Sequence, residues 1–180
     1  TINEQNVMTR IPEMCGLSPN DPLVERKLMQ INYHLYIANA IAVKACHEII
    51  DHAYIGPCVS YPTLYPETCH PKDIAIAYEA QEMMAYIPME IYMTGLIPQM
   101  LKNYWIKQDI YPIIQDQDEL ILKEGIGDFI GVNWYCTQTI GAKSQKPSFN
   151  IGTDVDIKKN PYLEYGEWHW SYDPQALTMA

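Results

Sequence analysis

Asp128-Phe129-Ile130-Gly131-Val132-Asn133-Trp134-Tyr135 reads as the best strand in the chain, a nearly unbroken apolar and aromatic run. Upstream of it, Asp21-Pro22 launches the clearest helix, with apolar residues at Leu28, Ile31, Leu35, Ala38, Ala42, Ala45 and Ile49. Those steps alternate three and four, which predicts one face packed on a core. Asp51-His52 ends the helix, and Ala53 to Val59 is a short apolar run suited to a buried strand. Pro57 counts against a central position there, because it lacks a ladder donor. Lys72 to Met84 predicts a second helix, with Ile74, Ala77, Tyr78 and Gln81 at helical spacing. Pro88 and Pro98 are expected to kink or divide the chain beyond Met84, leaving shorter helices over Gln99–Lys107 and Asp116–Glu124, the last stopped by Gly125.

Two stretches read as loops: Ser60 to Pro71, dense in Pro and Tyr, and the polar run from Gly141 to Lys159. Asp173-Pro174 reads as a helix start, with Asp as N-cap and Pro in the first turn. Strand and helix thus alternate, which predicts an α/β fold with a parallel sheet. Ligands in such folds meet the carboxyl ends of strands. Two places qualify: Asn133 and Tyr135 at the end of the good strand, and Asn3-Glu4 if a strand precedes them.

The chain has 180 residues, enough for one ordinary domain, with 48% apolar and 19% charged residues, so a packed core is expected. Twelve Lys and Arg against 22 Asp and Glu give a net charge of −10. Neither a nucleic-acid partner nor an anionic membrane surface fits that balance. No run reaches the roughly 18 apolar residues of a membrane span. Five cysteines, none in a C-x-x-C pair, fit a reducing cytoplasm better than a disulfide-stapled exterior. Cys46-His47 and Cys69-His70 are adjacent pairs without the spacing of zinc ligands, so no metal is expected. His34 and His47, on or beside the first helix's stripe, are expected to be buried and hydrogen-bonded. The chain opens on Thr1-Ile2-Asn3-Glu4 without the regions of a secretory leader, and both ends read as cut inside structured elements.

Thr1-Ile2-Asn3-Glu4 resembles the T-x-N-E motif of glycoside hydrolase family 1. The resemblance extends along the chain. Asp128 to Tyr135 is similar to that family's D-F-I-G-x-N-Y-Y strand, with Trp134 in place of Tyr. Tyr65-Pro66-Glu67-Thr68-Cys69-His70-Pro71-Lys72-Asp73 resembles the Y-P-x-T-C-x-P-E-D segment of its 6-phospho-β-glucosidases, and Ala40-Ile41-Ala42-Val43-Lys44 their A-x-A-x-K helix. Asn160-Pro161-Tyr162-Leu163, Glu167-Trp168-His169-Trp170 and Asp173-Pro174 resemble the stretch N-P-Y-L…(S)-E-W-G-W-x-I-D-P. Departures occur at Tyr33-His34, where His-His is common, at Met93-Thr94-Gly95, where Arg-Gly is common, at Gly166 for Ser and at His169 for Gly.

The resemblance implies part of a single (β/α)8 TIM barrel, from the end of strand four to the start of the helix after strand six, truncated at both ends. It implies retaining hydrolysis of 6-phospho-β-glucosides, with no cofactor or metal and with a phosphorylated β-glucoside as the small-molecule partner. Glu4 is then the general acid/base, Asn3 binds the sugar 2-hydroxyl, Asn133 lines the same subsite and Tyr135 orients the nucleophile. A retaining glycosidase needs two carboxyls about 5–5.5 Å apart. The family's second carboxyl, in an E-N-G motif, has no counterpart in these residues; among Glu13, Glu164 and Glu167, nothing in the spacing recommends a substitute. Trp168 and Trp170 are open between sugar stacking and packing. An unphosphorylated β-glucosidase and a 6-phospho-β-galactosidase stay open beside the first reading. So does a non-catalytic truncated fragment, whose uncovered strand edges would favour self-association into a homo-oligomer.

Overall fold

Helix α2, Val24–Ile49, is the longest element, and it buries Leu28, Met29, Asn32, Tyr33, Tyr36, Asn39, Ala40 and Val43. The structure, a computed structural model, describes residues 3–142 and 156–179. The buried stripe is rotated from the expected one: Leu28 lies in it, but Ala38 and Ala42 face solvent and Ile49 is 81% exposed. The reason is area. Burying the rings of Tyr33 and Tyr36 removes far more apolar surface from water than burying alanines at 38, 42 and 45.

By contacts the chain forms two compact units, the first of residues 1–59 and 87–132, the second of residues 60–86 and 133–180. In the first unit the four-residue helix α1, Gln5–Met8, precedes α2. Helices α4 (Ile87–Thr94), α5 (Gln99–Gln108) and α6 (Asp118–Glu124) complete its helical part. Trp105 on α5 is fully buried, edge-on to Tyr33 at 6.1 Å, with its indole N–H on the Met29 sulfur at 2.8 Å. Gly125 ends α6 where a Cβ would stand 2.2 Å from the Ala40 carbonyl oxygen, so α2 and α6 approach too closely for any other residue. Pro98 divides the chain as expected, standing at the position before α5. Pro88 does not divide its helix; it is the second residue of α4, directly after a π-helical turn at Glu82–Tyr86. A widened turn relieves the clash of a proline ring with the preceding turn.

The strands are shorter than expected at both apolar runs. Strand β1 is Cys58–Ser60 and strand β3 is Gly131–Asn133. In the first unit the segments leading into them run together, Asp128 N–H bonding the Ile55 oxygen at 2.8 Å and Gly131 N–H the Pro57 oxygen at 2.8 Å. In the second unit Tyr61 N–H continues the pairing to the Asn133 oxygen at 2.9 Å.

The second unit corrects the loop expectations. Ser60 to Pro71 contains strand β2, Thr63–Pro66, which pairs in parallel with β4, Thr137–Gly141, from Thr63 beside Thr137 to Pro66 beside Ile140. Pro66 ends its strand, so its missing donor costs nothing further along. Strand β5, Asp156–Lys158, lies antiparallel on the other side of β4, within the stretch read as irregular; residues 143–155 of that stretch lie outside the described residues. Helix α3, Pro71–Gln81, packs on β2 and β4, and its Asp73 carboxylate is held by the Thr68 hydroxyl and, at 2.7 Å, by the Ala142 N–H. A small antiparallel hairpin of β6, Glu164–Tyr165, and β7, Ser171–Tyr172, comes next. Asp173 caps the next turn as expected, its carboxylate accepting from Ala176 N–H at 3.2 Å, but that turn is a short 3₁₀ helix, Ala176–Thr178. The parallel pairing expected from the alternation is present, joined by antiparallel strands that it did not signal.

Candidate active site

Asn3 bridges to Cys58 in parallel, and Glu4 N–H bonds the Cys58 oxygen at 2.9 Å, so the chain enters the site as a strand end. Glu4 then breaks away at φ 51°, ψ 39°, left-handed backbone rare for a residue with a Cβ, and its carbonyl starts α1. Such strain costs on the order of 1–3 kcal/mol and persists only where neighbours over-determine it. Here the neighbour is Gln5, which is 3% exposed. Its amide nitrogen bonds the Asn32 backbone oxygen at 2.7 Å and side-chain oxygen at 2.8 Å, and its own oxygen accepts from the Tyr92 hydroxyl. Thr9 adds a hydroxyl bond to the Gln5 carbonyl at 3.0 Å. Glu4 itself is half-buried, beside Cys58, whose thiol is pushed up first by burial and then by the Glu4 charge. A protonated, unreactive thiol therefore flanks the carboxylate.

The second unit holds the other expected site residues. Asn133 is half-buried at the end of β3, its backbone oxygen engaged by Tyr61 N–H. Trp134, Tyr135 and Cys136 then face Tyr61 and Pro62 before pairing resumes at Thr63 and Thr137. Three residues opposite two is a bulge, and a bulge re-aims the side chain it carries. Trp134 turns its indole N–H onto the Thr63 hydroxyl at 3.1 Å, while Tyr135 stands half exposed. Its ring meets Trp170 at 5.3 Å and 40°, and Trp170 meets Trp168 at 5.9 Å and 47°. Trp168 is 79% exposed, so packing does not consume it.

Trp168 and Trp170 are displayed by the turn between β6 and β7. Gly166 N–H bonds the Trp170 oxygen at 2.9 Å, and His169 N–H bonds the Gly166 oxygen at 3.0 Å. His169 adopts φ 58°, the left-handed region that favours glycine. The glycine typical of the resembling family would fit that backbone without strain, so the departure at His169 has a structural cost.

The other candidates stand at the surface. Glu13, Glu164 and Glu167 are all exposed. His34 is exposed rather than buried, its ring on the Gln30 amide at 2.8 Å, because the rotated stripe turns it outward. His47 is likewise exposed, paired with Asp128 at 2.8 Å. Among the described residues no three His, Cys, Asp or Glu side chains converge as metal ligands. The same residues include no helix long and apolar enough to cross a membrane. Gln5, Asn32 and Tyr92, which hold the turn after Glu4, carried no spacing that would have marked them.

The family model described as Glycosyl hydrolase family 1 matches residues 1–180. The chain belongs to glycosyl hydrolase family 1. Among curated relatives, the aryl-phospho-beta-D-glucosidase BglH of Bacillus subtilis is 30% identical over 182 residues, covering 100% of this chain and 39% of the relative. A 6-phospho-beta-glucosidase of Dickeya chrysanthemi is 33% identical, covering 98% of this chain and 37% of the relative. The chain thus spans about two fifths of the length of these relatives. Among solved structures, a Thermotoga maritima family 1 glycoside hydrolase, complexed with a cyclophellitol analogue transition state mimic, superposes with a TM-score of 0.76 at 17% identity. It matches 99% of this chain with 38% of its own. The family 1 fold is a (β/α)8 barrel, and this chain folds as part of it.

Proposed function

We propose that the protein to which this chain contributes hydrolyses β-glucosidic bonds of 6-phospho-β-glucosides with retention of configuration. In this reading the 180 residues are a central part of one barrel domain, and Glu4 is the general acid/base. The observation that carries the reading is the geometry around Glu4: a carboxylate at a strand end, in strained backbone, clamped by the buried amide of Gln5. The names of the curated relatives support a phosphorylated substrate.

The chemistry runs in two steps. A nucleophilic carboxylate, supplied outside these residues, attacks the anomeric carbon while Glu4 donates its proton to the departing glycosidic oxygen. Glu4 then takes a proton from water as that water displaces the sugar from the enzyme carboxylate. Asn3 binds the sugar 2-hydroxyl, Asn133 lines the same subsite, Tyr135 orients the nucleophile through its phenol, and Trp168 contributes a stacking face. No metal or cofactor enters either step, and the substrate chemistry fits a cytoplasmic enzyme acting on imported phosphorylated sugars.

Glu4→Gln in the full-length protein tests the assignment. Glucosides with poor leaving groups should lose about 10²–10⁴-fold in kcat/KM, because their oxygen needs the proton as the bond breaks. A nitrophenyl 6-phosphoglucoside should lose far less in its first step and show a burst, then a slow phase that azide accelerates. Equal losses on both substrates, with neither burst nor azide rescue, would assign the acid to another residue. Comparing 6-phosphorylated with unphosphorylated nitrophenyl glucoside separately tests the substrate class.

A further inference from the structure

Glu4 is a single residue held between two fixed points. On one side its own N–H is tied to the Cys58 oxygen at 2.9 Å, which anchors the chain to β1. On the other side stands Gln5, buried, with both polar atoms of its side-chain amide engaged. The amide nitrogen uses both hydrogens on Asn32, at 2.7 Å to the backbone oxygen and 2.8 Å to the side-chain oxygen. The amide oxygen accepts from the Tyr92 hydroxyl. The Asn32 backbone oxygen can only accept, so the amide has one orientation available to it. Asn32 on α2 and Tyr92 on α4 are themselves 1% and 4% exposed, so both partners are fixed by the core. Between these anchors Glu4 takes its left-handed φ and ψ, and those angles set the direction in which its Cα–Cβ bond leaves the backbone.

We propose that Gln5 is a positioning residue of the hydrolytic reaction: held by Asn32 and Tyr92, it fixes the turn that aims the Glu4 carboxyl. The inference rests on the reading of Glu4 as the general acid/base. A buried polar cluster gains little net stability over apolar groups of the same shape, but its bonds are directional. An apolar side chain at position 5 could fill the same volume and would leave the turn free to relax. Relaxation is favoured, since left-handed backbone is disfavoured roughly 5- to 150-fold in population for a residue with a Cβ. A catalytic group has to be held within about 0.5 Å of its productive place, and a shift of about 1 Å can cost on the order of 10²-fold. Asn3 lies on the strand side of the turn, bridged to Cys58, so sugar binding should change less than chemistry.

Burst and steady-state kinetics of the full-length protein, well below its unfolding midpoint, test this with Gln5→Met, which keeps the side-chain length and removes the amide. On an alkyl 6-phosphoglucoside, kcat should fall about 10–10²-fold with KM nearly unchanged. On a nitrophenyl 6-phosphoglucoside, whose leaving group needs little protonation, the burst step should fall less than about threefold. In a Glu4→Gln background the same substitution should add no more than about a twofold loss, because no acid is left to aim. A merely structural amide would lower both substrates and both backgrounds alike. Tyr92→Phe removes one hydroxyl and keeps the ring; it should show the same split at smaller size, and it carries the comparison if Gln5→Met does not fold. Equal losses on the two substrates, a full further loss in the Glu4→Gln background, or unchanged kinetics in the folded variant would overturn the proposal. If Glu4→Gln by itself spares the alkyl substrate, the acid/base reading fails first and Gln5 has nothing to position. A normal Glu4→Gln signature without the Gln5 split sinks this inference alone.

Discussion

Gln5 grips Asn32 twice, through the backbone oxygen at 2.7 Å and the side-chain oxygen at 2.8 Å, one residue after the left-handed turn at Glu4. The grip ties the start of α1 to the middle of α2, and Tyr92 closes it from α4 through the other end of the same amide. Strain at Glu4 is therefore held by three separate elements.

Gln5→Leu keeps most of the side-chain volume and removes the amide. It leaves the Asn32 side-chain oxygen short of a donor and the Tyr92 hydroxyl without its acceptor, both in a buried setting. A loss of about 2–4 kcal/mol in urea unfolding is expected. Combined with Tyr92→Phe, the cost should fall short of the sum by at least about 0.5 kcal/mol, the signature of a shared network. Strict additivity, or a single-variant loss under about 0.5 kcal/mol, would show that the clamp contributes little.

His169→Gly should stabilise the β6–β7 hairpin. At φ 58° a side chain costs roughly 1 kcal/mol or more, whereas the added freedom of glycine in the unfolded chain returns part of that gain. The net gain expected is about 0.5–1 kcal/mol, read as a higher urea midpoint at unchanged slope. A lower midpoint would mean that the His169 side chain makes a stabilising contact outweighing its strain.

Asp128 makes stability depend on acid. Its carboxyl is held below the usual range, first by the Ile55 N–H at 2.8 Å and then by His47. A group depressed in the folded state contributes stability that is complete above its unfolded pKa, about 3.9, and disappears as pH falls through the folded value. Urea midpoints of the unsubstituted protein should therefore decline below about pH 4, and Asp128→Asn should flatten that decline while lowering the midpoint at about pH 7. An identical acid limb in both proteins would exclude Asp128 as a source of it.

The legible parts of the fold were those written in local chemistry. Helix α2, the stop at Gly125, the division at Pro98 and the Asp173 cap all arise from spacing and end residues, which act over a few positions. Strands β2 and β4 were hidden for a definite reason. Tyr65-Pro66 and Thr137-Gln138-Thr139 carry turn-like or polar residues, and they become strands because each supplies the other's hydrogen bonds and α3 covers them. The turn of the α2 face has the same origin. Periodicity indicates that a helix has a buried face, but the large rings of Tyr33 and Tyr36 select which face it is.

For the site, the tetrad Thr1-Ile2-Asn3-Glu4 and the run Asp128 to Tyr135 were enough to name candidate residues, because reactive chemistry needs particular side chains in a particular local order. What holds them was not readable. Gln5 meets Asn32 and Tyr92 across 27 and 87 positions, and Trp134 meets Thr63 across 71. By itself the sequence determined the family, the candidate acid and the positions of the main helices, since each is carried by contiguous residues. The tertiary structure alone decided the bulge that turns Tyr135 outward and the clamp behind Glu4. Those depend on which distant groups share one volume, and only packing sets that.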